Sequence, residues 1–592
     1  MPRVIGVLMP LLESSIVMEE FFRTLQSYAK GSQSRNWLLV LDDQLSDEMG
    51  PLSREHPQEL GIVLIESYWK ARRRPYHKQK LAFHFLNLRH FALEQAKRGV
   101  AVHFLTTSQP YRNALIPIIE RLGCLRVMEP AELEVMRDLL PLVKKKLINM
   151  IPHEGWLTSR EHFLNGAGKH PPWRMNAFYR HVRQQTGILM SEGRPLGGRY
   201  SFDTENRQPW KGEPPAPQSF CFPPETIKDE VITLIESQFG DHPGQVHPES
   251  LPGTKVDAFC QWAWCQKYCL PHFGPYEDAM AEKESGLFHS RMAALINIHR
   301  VLPSQIMKDV VSLGIPLPSK EGFIRQVLGW REFVYHVHKE TDGFRKQFSS
   351  VSLPGDAGYT KWCNQNWKAS KNLRNGDGGA KPSFWKTEKP LPATFWGAPS
   401  GLHCLDIVIG QVWEQAYSHH ITRLMILSNI ATLLDVSPRE LTDWFWVAYV
   451  DAFDWVVEPN VLAMGTFGTG PLMTTKPYIS GAAYIHRMSD FCDTCAFNPK
   501  TNCPITHLYW AFLERHKKQL QTNPRMRLPL RNLQKRGRPK IRRDFEIFEI
   551  VHSVLEANQR LTPRHFITTG STHIKKNLSH LPLKKCKKAD NR

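Results

Sequence analysis

Three thiols fall within a dozen residues at Cys492, Cys495 and Cys503, and the last is followed by Pro504. Two residues between Cys492 and Cys495 let both sulfurs face one ion or cluster across a single turn, a spacing that suits tetrahedral zinc or an iron–sulfur cluster. Either needs a fourth ligand. Cys404 is the best candidate, because it opens an apolar run, Leu405 to Leu434, that reads as a helix able to pack back onto the pair. That run contains a second feature, His419-His420. Neighbours on a helix diverge by about 100°, so one ring can enter a pocket while the other orients it. His419 shares a face with Arg423, four residues on. Histidine titrates near neutral pH and can pass a proton.

Elements must hold these groups. The chain has 592 residues, 41% of them hydrophobic, enough for more than one domain with its own core. No run of eighteen apolar residues exists and the amino terminus lacks a signal-peptide pattern. A soluble, intracellular monomer is expected, cytoplasmic or nucleoid-associated if bacterial. The eleven cysteines are unevenly spread, with a second group at Cys260, Cys265 and Cys269, which argues against a disulfide scaffold. A net charge of +19 and a pI near 9.4 point to a polyanionic partner. Solubility is the competing use of that charge, much of which lies in the carboxyl-terminal tail.

Residues 1–35 form a leader, within which Leu11 to Tyr28 reads as one amphipathic helix, and the leader is expected to be dispensable. Apolar runs at Trp37–Asp42, Gly61–Glu66, Val100–Leu105 and Arg126–Glu129 alternate with helical stretches such as Lys78 to Arg98. Residues 36–150 therefore read as a parallel α/β sheet covered on both faces. Ligands of such sheets sit beyond the carboxyl ends of the strands, where Asp42, Gln44 and Glu66 fall. Acids there also serve as helix caps. Residues 151–249, rich in proline, glycine, histidine and arginine, read as an interdomain linker with short helices, one of them Trp173 to Arg183. Residues 250–520 carry helix-length apolar patterns, an all-α domain. No glycine-rich dinucleotide fingerprint is present. The stretch from Ser349 to Phe395, rich in Lys, Asn and Gly, reads as a surface loop. Residues 521–592 read as a basic tail, in which Arg536-Gly537-Arg538-Pro539 resembles an AT-hook for a narrow minor groove, with plain solvated charge as the alternative.

Several blocks together resemble the iron–sulfur bacterial cryptochromes and photolyases. They are Tyr417 to Met425, Trp444 to Trp455, Thr475 to Tyr478, the cysteine segment, Glu321 to Glu332 and Pro195 to Arg207. They keep their order from about Trp37 to about Arg515, most of the chain. The resemblance implies an amino-terminal antenna domain, with a ribityl-lumazine chromophore near Asp42, Gln44 and Glu66, and a helical domain holding FAD and a 4Fe–4S cluster on Cys404, Cys492, Cys495 and Cys503. Tyr276, His289, Ser290, Gln326, Trp330, Arg331, Arg423, Asp451 and Asn460 would hold the flavin, with Glu458 a further candidate. Trp396 and Trp444 would carry electrons. Asp203 and Arg207 would lie on the DNA side, near a divalent cation, and Tyr478 and Tyr484 would line a lesion pocket beside His419 and His420.

The implied activity is light-driven repair of UV-damaged DNA, as in a (6-4) photolyase. The alternatives are a cryptochrome-type blue-light receptor without repair, and a light-independent redox or zinc protein on DNA. Three departures from the family's pattern matter. Phenylalanine stands at 445 and 453 where relatives carry tyrosine, Val457 stands where an acid is expected, and only seven residues separate Cys495 from Cys503.

Overall fold

The computed structural model describes residues 19–28, 35–347, 350–351 and 379–567. Most of the leader, the Lys-, Asn- and Gly-rich stretch 352–378 and the lysine-rich end after 567 lie outside the described residues.

Five strands, β1 (Asn36–Val40), β2 (Leu60–Ser67), β3 (Ala101–Thr107), β4 (Leu125–Met128) and β5 (Ile148–Ile151), pair in the order β3-β2-β1-β4-β5. Every pairing among them is parallel. Side chains of a strand alternate between faces, and that alternation divides the apolar runs between two cores. Leu38, Val40, Ile62 and Leu64 face one core; Leu39, Leu41, Val63 and Ile65 face the other. The second is closed by helices α1 (Tyr111–Leu122) and α2 (Leu133–Lys144). The first merges with the helical domain through the helix Lys78–Lys97, which is buried on nearly all sides because it lies between sheet, linker and helical domain. Sequence periodicity alone would have left one polar face on that helix.

The leader is partly built in. In the helix Glu20–Ser27, Phe21 is buried against Phe104, Glu19 pairs with Arg89, and Glu230 accepts from the Phe21 amide. Burying one such ring is worth about 2–3 kcal/mol, so this end of the leader is not dispensable packing. In the linker, the helix expected at Trp173–Arg183 spans Met175–Thr186. Arg183 does not face solvent or DNA: it is fully buried and donates to the carbonyls of Ile188, Leu189 and Tyr200.

Among the described residues between 255 and 515, helices dominate, from Lys255–Trp264 to Pro504–Arg515. The apolar run 405–434, read as one helix, is broken. Helix α3 (His403–Gln415) ends at Ala416, which takes a left-handed conformation (φ 51°). Glycine usually fills such a position. The next helical turn begins at His420, so Tyr417 to His419 form a ledge. Helix α4 (Pro438–Ala448) follows, and α5 (Pro504–Arg515) begins directly after Cys503. Of the residues read as a basic tail, 521–567 are described, and they fold as well. Helix α6 (Arg538–Glu556) packs along α5, with Arg515 stacked at 3.7 Å on the Phe548 ring and His507 bonded to Asp544 at 2.8 Å. The Arg-Gly-Arg-Pro sequence is the start of α6, and Arg536 is tied to Asp544 and Trp510, so this stretch is not the extended segment an AT-hook requires. Arg538 is exposed at the first turn of that helix.

Candidate functional site

A cavity of about 290 Å³ opens in the helical domain, near the lower end of the range for small-molecule sites. Of the residues expected there, His289, Ser290, Gln326, Trp330, Arg331, His419, His420, Arg423, Asp451 and Asn460 all line it. Three wall segments, Arg325–Arg331, Arg423–Ser428 and Glu458–Gly465, are wide π-helical turns, a distortion that recurs at functional sites because it re-aims side chains. Asp451 holds Arg423 in a two-pronged pair, both contacts at 3.1 Å, while the guanidinium stacks at 4.1 Å on Tyr449 and donates from Nε to the Ser418 carbonyl. Burial works against the charge of Arg423, but Asp451 outweighs it, and the guanidinium's pKa lies above its ordinary value.

The two histidines differ in kind. His419 is the extended residue before the helical turn, buried and stacked face to face on His289 with ring centroids 4.4 Å apart. Burial, then His289, holds its pKa well below the ordinary histidine value, and burial pushes that of His289 down to about 3. His420 is exposed at the cavity mouth. Its crowded surroundings and Arg423 lower it to about 4, but solvent entering the open cavity screens His420 and weakens that lowering, whereas His419 has no such access.

Buried polar atoms on this wall lack partners among the described residues: His419 Nδ1, His289 Nε2, Arg331 Nε and Trp455 Nε1. Each costs about 1–3 kcal/mol if left unmade, so the wall is shaped for a polar, ring-bearing ligand. That donor set fits FAD. Arg423, Arg331, Ser290 and Gln326 would hold it, and Met464, Val334 and Phe445 supply the apolar surface.

Tyr276 does not reach the cavity; its hydroxyl donates to the Glu213 carbonyl and its ring packs on Phe288 in a satellite cluster. Glu458 is also elsewhere, buried between Arg439 at 2.7 Å and His338 at 2.8 Å. Burial favours its protonated form, but His338 and Arg439 prevail and hold it to about 2. Asn297, Arg291 and Tyr417 line the cavity without having been singled out in the sequence. Tyr417, which opens the block Tyr417 to Met425, and Arg291, next to His289 and Ser290, stand where the sequence could have pointed to them; Asn297 does not.

On the cavity wall, Glu277 is held towards its neutral form: burial pushes it up to about 8 against the pull of Arg325, and its oxygen accepts from Gln326 at 2.7 Å. Asp203 is paired with Arg325, and Arg207 lies 3.6 Å from Asp278, which also accepts from Tyr484. Tyr478 lies within electrostatic reach of the same groups. Among the described residues no three His, Cys, Asp or Glu side chains gather around a point that would hold one metal ion; Asp203 is paired with Arg325.

The aromatic side chains form a series. Phe445 lines the cavity and meets Trp444 at 5.2 Å; Trp444 meets Trp413 at 6.1 Å; Trp413 meets Trp396 at 5.1 Å. One carbonyl, that of Phe395, accepts from the indole N–H groups of both Trp413 (2.8 Å) and Trp444 (2.7 Å) and so fixes the pair. Trp413 had no signal in the sequence beyond belonging to an apolar helix. Trp446 and Phe453 turn the other way, into a second cavity.

That second cavity lies at the carboxyl ends of β1 and β2, where α4 meets the sheet, and holds about 40 Å³. Asp42 lines it, held by Lys70 at 3.0 Å, with Glu132 on the same ammonium. Gln44 and Glu66 do not line it. Gln44 donates to the Met128 and Glu129 carbonyls, and Glu66 is wholly buried against Arg89. The volume suits one or two waters. A ribityl-lumazine does not fit it as it stands.

Cys404, Cys492, Cys495 and Cys503 line one small apolar cavity with Phe491, Phe497, Ile485 and Ile505. Burial raises the thiol of Cys404 well above its ordinary value, and the other three cysteines raise it further. Burial likewise pushes Cys492 to about 11 and Cys503 to about 12. Four cysteines in one apolar shell, with Cys404, Cys492 and Cys503 held towards the neutral thiol, are a donor set that a soft, cationic centre satisfies. The short span from Cys495 to Cys503 is ordered by its own bonds, the Asn498 amide to Asn502 Oδ1 at 2.6 Å and the Cys503 amide to the Asn498 carbonyl at 2.9 Å.

No helix among the described residues is long and apolar enough to cross a membrane. The sequence matches the family model for deoxyribodipyrimidine photo-lyase-related protein over residues 38–251. Over 512 residues it is 32% identical to a (6-4) photolyase of Agrobacterium fabrum, an alignment spanning 83% of this chain and 94% of that protein. Similar solved structures are a bacterial class III photolyase from Agrobacterium tumefaciens (13% identity, TM-score 0.48, 89% of this chain and 99% of that one) and a Synechocystis cryptochrome (13%, 0.46, 74% and 83%). Identity at that level along nearly the whole of the Agrobacterium fabrum protein settles the kinship: this chain belongs to the deoxyribodipyrimidine photo-lyase-related family.

Proposed function

We propose that the protein repairs UV-damaged DNA with light, acting as a (6-4) photolyase. The observation that carries the reading is the convergence, on one cavity, of the Arg423–Asp451 pair, a set of unpaired ring and guanidinium nitrogens, and His420 at the open mouth. Arg423, Arg331, Ser290 and Gln326 would hold FAD in the cavity, where the reduced, light-excited cofactor would supply the electron that repair of a damaged base needs. The chain's own residues do the rest. Arg423 and Arg331 bind anionic groups, the buried His419–His289 stack fixes the ledge, and His420 presents a proton where an extruded base would enter. A damaged, poorly paired dinucleotide lowers the cost of leaving the helix.

The test is illumination of the reduced protein with duplexes carrying either a (6-4) photoproduct or a cyclobutane dimer. Restoration of the (6-4) lesion is expected. A protein that binds FAD and photoreduces but restores neither lesion would be a blue-light receptor.

The cysteine cavity is the place for the 4Fe–4S cluster that the family resemblance implies: four cysteines line it, and such a cluster takes one thiolate on each of four irons.

Electrons would reach the cavity from Trp396 through Trp413 to Trp444. Phenylalanine is hard to oxidise, so Phe445 forces the route through the indoles. Trp413→Phe keeps an aromatic ring against His77 yet should slow photoreduction of the bound flavin on the order of tenfold, equivalent to about 1.4 kcal/mol of barrier. Transient absorption at the tryptophanyl radical bands is the measurement, and an unchanged rate would remove Trp413 from the route.

A further inference from the structure

Beside the flavin cavity, four cations from three distant parts of the sequence are held together. The segment carrying Lys476 is clasped from both sides. The Trp173 amide donates to the Leu472 carbonyl at 2.9 Å and Arg174 donates to the Pro471 carbonyl at 3.1 Å. From the other side, Asn523 Nδ2 donates to the Thr475 carbonyl at 2.9 Å and also caps the turn Pro524–Met526, which sets Arg525 beside Lys476. Lys476 and Arg525 are exposed, and Arg207 is 62% exposed. Among the described residues neither Lys476 nor Arg525 is in an ion pair, and the acids nearby are already used, Asp203 by Arg325 and Asp278 by Arg207 and Tyr484.

Like charges gathered this way oppose folding unless an anion joins them. The neighbours disfavour one another's charge: partial desolvation, then Arg525 and Arg207, lowers Lys476, and burial and Arg525 lower Arg174. Tyr478 stands within reach of Arg207 and Arg525, and Asp278 adjoins Glu277 of the cavity wall. The cations therefore lie on the approach to the cavity.

We infer that Arg174, Arg207, Lys476 and Arg525 form one phosphate-binding rim that grips the backbone of the duplex beside the extruded base. The segment after residue 520 thus joins substrate binding through Arg525, not through its Arg-Gly-Arg-Pro sequence. This rests on the repair reading.

The test measures binding of full-length protein to a duplex with and without a (6-4) lesion across a salt series. Removing one cation from the phosphates flattens the slope of log affinity against log salt by about 0.9. K476Q and R525Q should each flatten it by about that amount and the double variant by about 1.8, on both duplexes, with flavin absorbance and circular dichroism unchanged. R538Q should leave the slope as it is. A wild-type chain that binds, with an unchanged slope in the double variant or an equal loss in R538Q, overturns the rim alone. A wild-type chain with no salt-dependent duplex binding overturns the rim and the repair reading together.

Discussion

His420→Asn should lower the rate of (6-4) restoration by about 10²–10⁴-fold, the range for loss of a general acid, with flavin content and duplex affinity unchanged. The two histidines at this ledge are adjacent in sequence and opposite in circumstance. A proton on His419 would sit buried against His289 and near Arg423 and Arg291, all of which disfavour it. A proton on His420 is screened by solvent and meets an anionic substrate at the cavity mouth. On the proposed repair reading, His420 would be the donor and His419 its positioning residue. The sign of the pH dependence follows. The donor is active only when protonated, so the rate should fall as pH rises through the value His420 takes in the complex, and bound phosphate moves that value upward from its depressed level. His419→Asn should weaken repair less than His420→Asn and shift this profile, because it removes the ring that holds the ledge but not the proton. A larger loss at His419 than at His420, or a flat pH profile, would reverse the assignment.

Cys404→Ser should reduce iron from about four atoms per chain to well below one, with loss of brown colour and of stability on the order of several kcal/mol, since a structural metal centre contributes its binding energy to the fold. The four cysteines come from the first turn of α3, the loop 492–495 and the entry to α5. Without the centre, four thiols in an apolar shell make only weak contacts and do little to draw these elements together. Cys221→Ser, on an exposed thiol, should change neither iron nor stability. One zinc per chain in the wild-type protein would overturn the cluster.

Much of the site was legible because its chemistry is local. His419-His420 with Arg423, the Trp444 to Trp455 block and the cysteine spacing each carry their residue types within one or two helical turns, and nearly all of the residues named from them line the expected cavities. The errors have a common physical source. Tyr276, Gln44 and Glu66 stand in the right blocks, but which way a side chain points depends on neighbours far along the chain: a carbonyl at Glu213 captures Tyr276, and Arg89 captures Glu66. Glu458 was drawn away by Arg439 and His338 in the same manner. The basic tail was misread because charge density was weighed without the apolar stripe of α6, which packs on α5.

From its residues alone this chain determined a parallel sheet joined to a helical body, a soft-metal donor set and a histidine pair, because alternation, helical spacing and ligand type are properties of short segments. The tertiary structure decided the rest: which histidine is exposed, that Trp413 bridges Trp444 and Trp396, and that Arg525 stands beside Lys476. Those are relations between segments tens to hundreds of residues apart, and only packing against a common core brings them within a few ångströms.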